Sequence, residues 1–204
     1  LRILLPMISD VDEFNRARAL VDRELERARL MNLTRPTQVL VGAMLEVPAL
    51  AFMLPQLMRS ADFVSIGSND LLSLAFAVDR TNPRVARRYD NLNPASLTLI
   101  RLIVQSAAEN SGDLSLCGEM AGRPRSVVAL LAFGLRSLSM GPALIPLVKE
   151  LIHSLSTNRL IGLVDEILSQ KKGVGIHRIL NSVLSEIDPH IARLDTGPTW
   201  PISN

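Results

Sequence analysis

Five short apolar runs, each followed by a stretch with helical spacing, govern what this chain can fold into. Arg2–Leu5 ends at Pro6, Gln38–Leu45 at Glu46, Phe63–Ile66 at Gly67, Leu114–Cys117 at Gly118, and Ser137–Met140 at Gly141-Pro142. Runs of this length and composition, closed by turn residues, read as strands. Phe14, Ala17, Val21, Leu25 and Ala28 keep helical spacing behind the caps Ser9 and Asp10, and Glu13 completes a capping-box pattern. Further helices are expected over Pro48–Met58, Ala95–Glu109, Arg125–Phe133 and Ile145–Ser154. The strands read as apolar on both faces, a pattern that belongs to a parallel sheet covered by helices. The expected class is α/β, either an open sheet or part of a (β/α)8 barrel. No G-x-G-x-x-G or P-loop fingerprint follows any strand, so the nucleotide-binding sheets lose ground.

After Thr157 the pattern changes. Two helical stretches, Arg159–Gln170 and His177–Glu186, flank a turn at Lys171-Lys172-Gly173-Val174-Gly175, with no strand between them. The chain therefore divides into a strand–helix portion over 1–155, a helical extension over 156–194 and an irregular tail over 195–204. Apolar residues make up 48% of the 204 residues and charged ones 21%, which excludes a disordered chain. Aromatics reach only 3%, and the net charge of +2 is spread among acidic residues, so nothing favours nucleic-acid binding. No apolar run has the roughly 18–20 residues of a membrane helix. The single cysteine, Cys117, excludes an internal disulfide framework and suits a reducing cytoplasm. The chain starts without Met and shows no signal peptide, which points to a processed or partial chain.

The polar residues fall at the strand ends. Glu46 follows the second strand, Asn69 and Asp70 the third, and Cys117-Gly118-Glu119 closes the fourth. In an α/β barrel these ends converge on one face, where chemistry sits. Glu46 and Asp70 lie 24 residues apart, one strand-to-strand step, so their carboxylates can flank one cavity. Two carboxylates beside an Asn are hard oxygen donors suited to Mg2+ or Mn2+. Plainer roles compete. A strand-end Glu can be a cap or a salt-bridge partner, Asn69-Asp70 a simple turn, and Arg80 a surface partner of Asp79. Cys117 can be an inert core thiol. His153, His177 and His190 have no ligand spacing and read as structural or solvated.

Longer motifs weigh against the plainer roles. Gly42-Ala43-Met44-Leu45-Glu46-Val47-Pro48-Ala49 resembles the G-x-M-x-E-x-P-A motif of the phosphoenolpyruvate-utilising enzymes. Asp62-Phe63-Val64-Ser65-Ile66-Gly67-Ser68-Asn69-Asp70-Leu71 resembles their D-F-x-S-I-G-T-N-D-L signature, and Leu116-Cys117-Gly118-Glu119-Met120-Ala121-Gly122 their C-G-E-x-A-G motif. Val78-Asp79-Arg80 follows at the family distance. Within the family the likeness is strongest to the phosphoenolpyruvate–protein phosphotransferases. Thr81–Tyr89 and Ala121-Gly122-Arg123-Pro124 resemble their nitrogen-related branch.

The resemblance implies a (β/α)8 barrel that binds phosphoenolpyruvate and Mg2+, with Mn2+ as a substitute. It makes Glu46 and Asp70 metal ligands, Asn69, Asp70 and Arg80 substrate contacts, and Cys117 the general acid that exchanges a proton with the enolate methylene carbon. It makes Arg2–Leu5 the fourth barrel strand, with the earlier ones missing, together with the phosphohistidine domain and the domain that docks a histidine-containing phosphocarrier protein. It implies a homodimer in the cytoplasm, with phosphoenolpyruvate and pyruvate as ligands and neither nucleic acid nor membrane as partner. A chain lacking the acceptor histidine would not complete the transfer alone. Ser73 and Leu74 replace a Gln-Tyr pair common in the family. A non-enzymatic dimerisation or sensing module, or a piece of pyruvate phosphate dikinase or phosphoenolpyruvate synthase, would carry much of the same pattern.

Overall fold

The computed structural model describes residues 1–79, 82–86 and 90–194. The strands are β1 (Arg2–Leu5), β2 (Leu40–Leu45), β3 (Val64–Gly67), β4 (Leu114–Cys117) and β5 (Leu138–Ser139). They form one parallel sheet in the order β1-β2-β3-β4-β5. Each strand pairs with its sequence neighbour and the connection always returns to the next position. A sheet that never reverses its order is wound one way, as in a barrel wall, and has no switch point of the doubly wound kind. The register sets Leu45 beside Ile66 and Gly67 beside Cys117, so the ends of β2, β3 and β4 are level to within one residue, while β1 ends two residues earlier, with Leu5 beside Ala43.

The connecting helices are α1 (Val11–Leu30), α2 (Pro48–Ala51), α3 (Leu54–Ser60), α4 (Ser68–Ala75), α5 (Pro83–Ala86), α6 (Pro94–Glu109) and α7 (Pro124–Ala132). Then come α8 (Ile145–Ser154), α9 (Thr157–Leu168), α10 (Gly173–Ile187) and α11 (Pro189–Leu194). Asp10 caps α1 by accepting a 2.7 Å hydrogen bond from the Glu13 N–H. The Glu13 carboxylate reaches back one residue further than in a capping box, accepting from the Ser9 N–H and hydroxyl, each at 2.7 Å. Asn93 caps α6 and Ser156 caps α9 in the same way.

Three elements depart from the sequence pattern. The helix expected over Pro48–Met58 is two helices, α2 and α3, broken at Phe52 and Met53. Pro55 has no N–H to continue the ladder and its ring clashes with the carbonyl one turn back, so it restarts a helix. β3 runs directly into α4, so Asn69 and Asp70 stand in the first turn of a helix and not on a free turn. Buried Leu71 and Leu72 hold α4 down despite its weak periodicity. Helix α10 begins at Gly173, inside the expected turn. The tail over 195–204 lies outside the described residues.

The strands are not apolar on both faces. Val41, Ala43, Leu45, Val64, Ile66 and Leu116 point to the helices and are buried with Leu50, Leu57, Leu97, Ile100, Val127 and Leu130. The alternate residues Leu4, Met44, Ser65, Ser115, Cys117 and Ser139 line an open cavity of about 390 Å³. Side chains alternate across a strand, so small polar residues every second position mark a lumen face, and the helices cover only the other. At one mouth of this cavity Arg2 stacks 4.0 Å over the Phe63 ring and pairs with Asp113 at 2.8 Å. The helices beyond residue 157 add no strand. Helices α9 and α10 pack on α7, and α9 also meets α6, so the extension thickens the outer helical layer.

Candidate active site

The C-terminal ends of β2, β3 and β4 carry Glu46, the Ser68-Asn69-Asp70 turn of α4, and Cys117-Gly118-Glu119. Glu46 is 95% buried, being only 5% exposed. Its Oε2 accepts a 2.9 Å hydrogen bond from the Met7 N–H, at the end of β1, where Met7 takes the left-handed conformation (φ 54°) that aims this N–H. The carboxylate leans across the end of β3 into the space a side chain on Gly67 would fill. A Cβ there would lie 2.5 Å from Glu46 Cγ and 2.8 Å from Oε1. Glycine at 67 is therefore a condition for the Glu46 position.

Ser68 and Asn69 tie β3 to the loop after β4. The Ser68 hydroxyl donates to the Cys117 carbonyl at 2.7 Å, and Asn69 Oδ1 accepts from the Glu119 N–H at 3.2 Å. Between these contacts Gly118 has φ +107°, and a Cβ on it would sit 2.4 Å from Ser68 Oγ. Both the backbone conformation and the close approach demand glycine. The Cys117 thiol lies on the lumen face, half-buried, and donates to the Ile66 carbonyl across the sheet at 3.5 Å. It is thus not packed among the core leucines. Glu119 opens a 3-10 turn (Glu119–Gly122), is exposed, and pairs with Arg123 at 3.7 Å.

Asp70 is half-buried in the first turn of α4, three residues after the N-cap Gly67 on which Glu46 leans. Arg80 lies outside the described residues. The side chains brought to one end of the sheet are thus Glu46, Asn69, Asp70 and Cys117, carried by three adjacent strands. Sequence reasoning missed Ser68 and the Met7 N–H. The Ser68 hydroxyl was legible only as one position of a longer motif. The Met7 contact carries no side-chain signal at all.

Among the described residues no group of three or more His, Cys, Asp and Glu side chains is arranged to hold an ion. The two carboxylates still fit a hard divalent cation, because Mg2+ completes its shell with water and ligand oxygens and asks the protein for only one or two carboxylates. A buried carboxylate such as Glu46 also needs compensating partners beyond a single N–H.

A family model described as PEP-utilising enzyme, PEP-binding domain, matches residues 1–157. The chain belongs to the phosphoenolpyruvate-utilising enzymes. Among curated proteins of the family, one from Salmonella typhimurium named "Phosphoenolpyruvate-dependent phosphotransferase system" is 45% identical over 156 residues, 75% of this chain and 20% of that protein. The protein of the same name from Escherichia coli is 44% identical over the same length. A phosphoenolpyruvate-protein phosphotransferase from Cupriavidus necator is 37% identical over 167 residues, 82% of this chain and 28% of that protein. The chain thus spans between 20% and 28% of the length of these relatives. In fold it is similar to a citrate lyase from Burkholderia xenovorans, with a TM-score of 0.53 at 16% identity over 96% of this chain and 68% of that one. That likeness, with the unreversed parallel sheet, places the strands in a TIM-barrel-like fold. No helix among the described residues is long and apolar enough to cross a membrane.

Proposed function

We propose that this chain is the phosphoenolpyruvate-binding portion of a phosphoenolpyruvate–protein phosphotransferase, of the nitrogen-related branch. The convergence of Glu46, Asn69, Asp70 and Cys117 at one end of the sheet carries the assignment. Residues 1–155 form the barrel portion and 156–194 the helical extension. Glu46 and Asp70 would hold Mg2+, or Mn2+ in its place, which when bound would supply positive charge against the phosphate and the enolate. Asn69 orients the substrate from the first turn of α4, and Arg80 grips its phosphoryl oxygens, a task for which the planar guanidinium is suited. Fixing the phosphoryl group in line with its acceptor is most of what phosphoryl transfer asks of a protein. The acceptor is a histidine on another domain of the parent protein, which hands the group to a phosphocarrier protein. The parent works as a cytoplasmic homodimer.

Cys117 completes the reaction. Its S–H donates to a neutral carbonyl, so the proton is held on sulfur at the lumen face. The enolate carbon takes the Cys117 proton to give pyruvate, and solvent restores it to the thiolate.

The test is calorimetric titration of phosphoenolpyruvate with Mg2+ into a parent protein with the complete barrel. Glu46→Ala and Asp70→Ala are each expected to abolish Mg2+-dependent binding. Unchanged heats in both variants would remove the two carboxylates from the site.

A further inference from the structure

The family match ends at residue 157, yet α10 is joined to α7 and to the start of α6 by a bridge of three side chains. His177 Nε2 lies 3.0 Å from Asp90 Oδ2, and His177 Nδ1 lies 3.0 Å from Arg125 Nη1. Arg125 stands in the first turn of α7 and is only 6% exposed. Asp90 is locked at the start of α6. Its Oδ1 accepts from the Leu92 N–H, and its carbonyl accepts from the Asn93 side chain and the Ser96 hydroxyl.

The donor inventory dictates the tautomer. A guanidinium only donates, so Nδ1 must be an acceptor and carries no proton. Nε2 then carries the hydrogen and donates to the Asp90 carboxylate. A neutral imidazole thus joins an anion on one side to a cation on the other. Helix α10 is placed for this by Gly173, one turn before His177 on the same face. A Cβ on Gly173 would come 2.9 Å from Asp90 Oδ2, so glycine lets the helix close on that carboxylate.

The bridge ends next to the site. Arg125 follows the Glu119–Gly122 turn by three residues, and that turn is tied to α4 by the Glu119 N–H on Asn69. Helix α10 packs on α7, α7 on the turn, and the turn on α4. We infer that His177, as a neutral Nε2–H imidazole, is a positioning residue through which the helical extension holds the loop 117–123 in place. The loop in question is the one to which the proposed function assigns the general acid.

Cys117 is the sole cysteine, so its labelling rate with an aromatic disulfide reagent reports loop geometry in the intact chain. Losing a charge-assisted hydrogen bond is worth about tenfold in a local opening equilibrium. His177→Ala is therefore expected to label about tenfold faster with unchanged far-ultraviolet circular dichroism. His177→Gln, whose amide can accept from Arg125 and donate to Asp90, should return the rate to within about twofold of the parent. Ile191→Ala, which weakens buried packing in α11 without touching the bridge, should leave the rate unchanged. Equal rates in His177→Ala and the parent chain would overturn the inference, and so would equal acceleration by Ile191→Ala. If His177→Ala does not fold, Asp90→Asn is expected to accelerate labelling in the same direction, and an unchanged rate there overturns it. Protection of the thiol by phosphoenolpyruvate with Mg2+ is scored separately, in the parent protein with the complete barrel. Its failure in every variant would sink the proposed function while the basal rates still decide the role of His177.

Discussion

Gly67→Ala is the most direct probe of how the sheet positions Glu46. Gly67 has φ −84° and ψ 80°, near the inverse γ-turn conformation that alanine also adopts. The new methyl therefore acts by contact and not through the backbone. It would stand 2.5 Å from Glu46 Cγ and 2.8 Å from Oε1, so the buried side chain must move. Overpacking of this kind costs about 1–3 kcal/mol. Moving the carboxylate also weakens its bond from the Met7 N–H, and hydrogen bonds to charged groups contribute about 1.5–3 kcal/mol. A loss of about 2–4 kcal/mol in stability follows if the two penalties partly relax together.

The decisive assay is a double-mutant cycle by urea unfolding, with Glu46→Ala as the second change. Truncating Glu46 removes the atoms the methyl would strike. Gly67→Ala should then cost less than about 0.5 kcal/mol, leaving a coupling of about 1.5–4 kcal/mol. Additive effects would show that Glu46 does not lie against Gly67, and the geometry drawn for the carboxylate would be wrong. In the parent protein the single variant should also lose Mg2+-dependent phosphoenolpyruvate binding, because the carboxylate is displaced.

Gly118→Ala is expected to cost about 3 kcal/mol, since φ +107° is essentially reserved for glycine, and a chemical-denaturation loss under about 1 kcal/mol would contradict that. In the parent protein, Cys117→Ala should cut pyruvate formation at least about 100-fold, while reverse transfer from phosphohistidine to enolpyruvate generated in situ persists. Near-normal pyruvate turnover would return Cys117 to an inert thiol. Hydrogen bonds from the Ser9 N–H and hydroxyl hold the Glu13 carboxyl below its ordinary value. Because its folded-state value is depressed, its contribution to stability is present above the unfolded titration point, and it is lost as pH falls through the folded one. Ser9→Ala should raise the Glu13 midpoint in an NMR titration, and identical midpoints in both proteins would refute the assignment of cause.

The order of elements was legible because burial leaves a period in the sequence. β1 and β4 have the bounds that their apolar runs imply, and α1 starts behind its Asp10 cap. Strand-end polar residues were legible for the same reason, since they interrupt those runs. Where local signals compete, the sequence was less informative. Pro48–Met58 has helical composition, and only the rule for Pro55 divides it. Asn69-Asp70 carries turn residues, yet the burial of Leu71 and Leu72 makes it helical.

Which strands faced a lumen was not determined locally. Leu4 and Met44 look like core residues, but register sets them on the same face as Ser65, Ser115 and Cys117. The sequence by itself determined the strand–helix alternation, the caps and the residue types at the strand ends, because those depend on neighbours along the chain. Only the tertiary structure decided that Glu46 leans over Gly67, that Ser68 holds the Cys117 carbonyl, and that His177 bridges Asp90 and Arg125. Contacts between residues 21 to 87 positions apart depend on register and helix packing, and these exist only once the sheet and its outer layer have closed together.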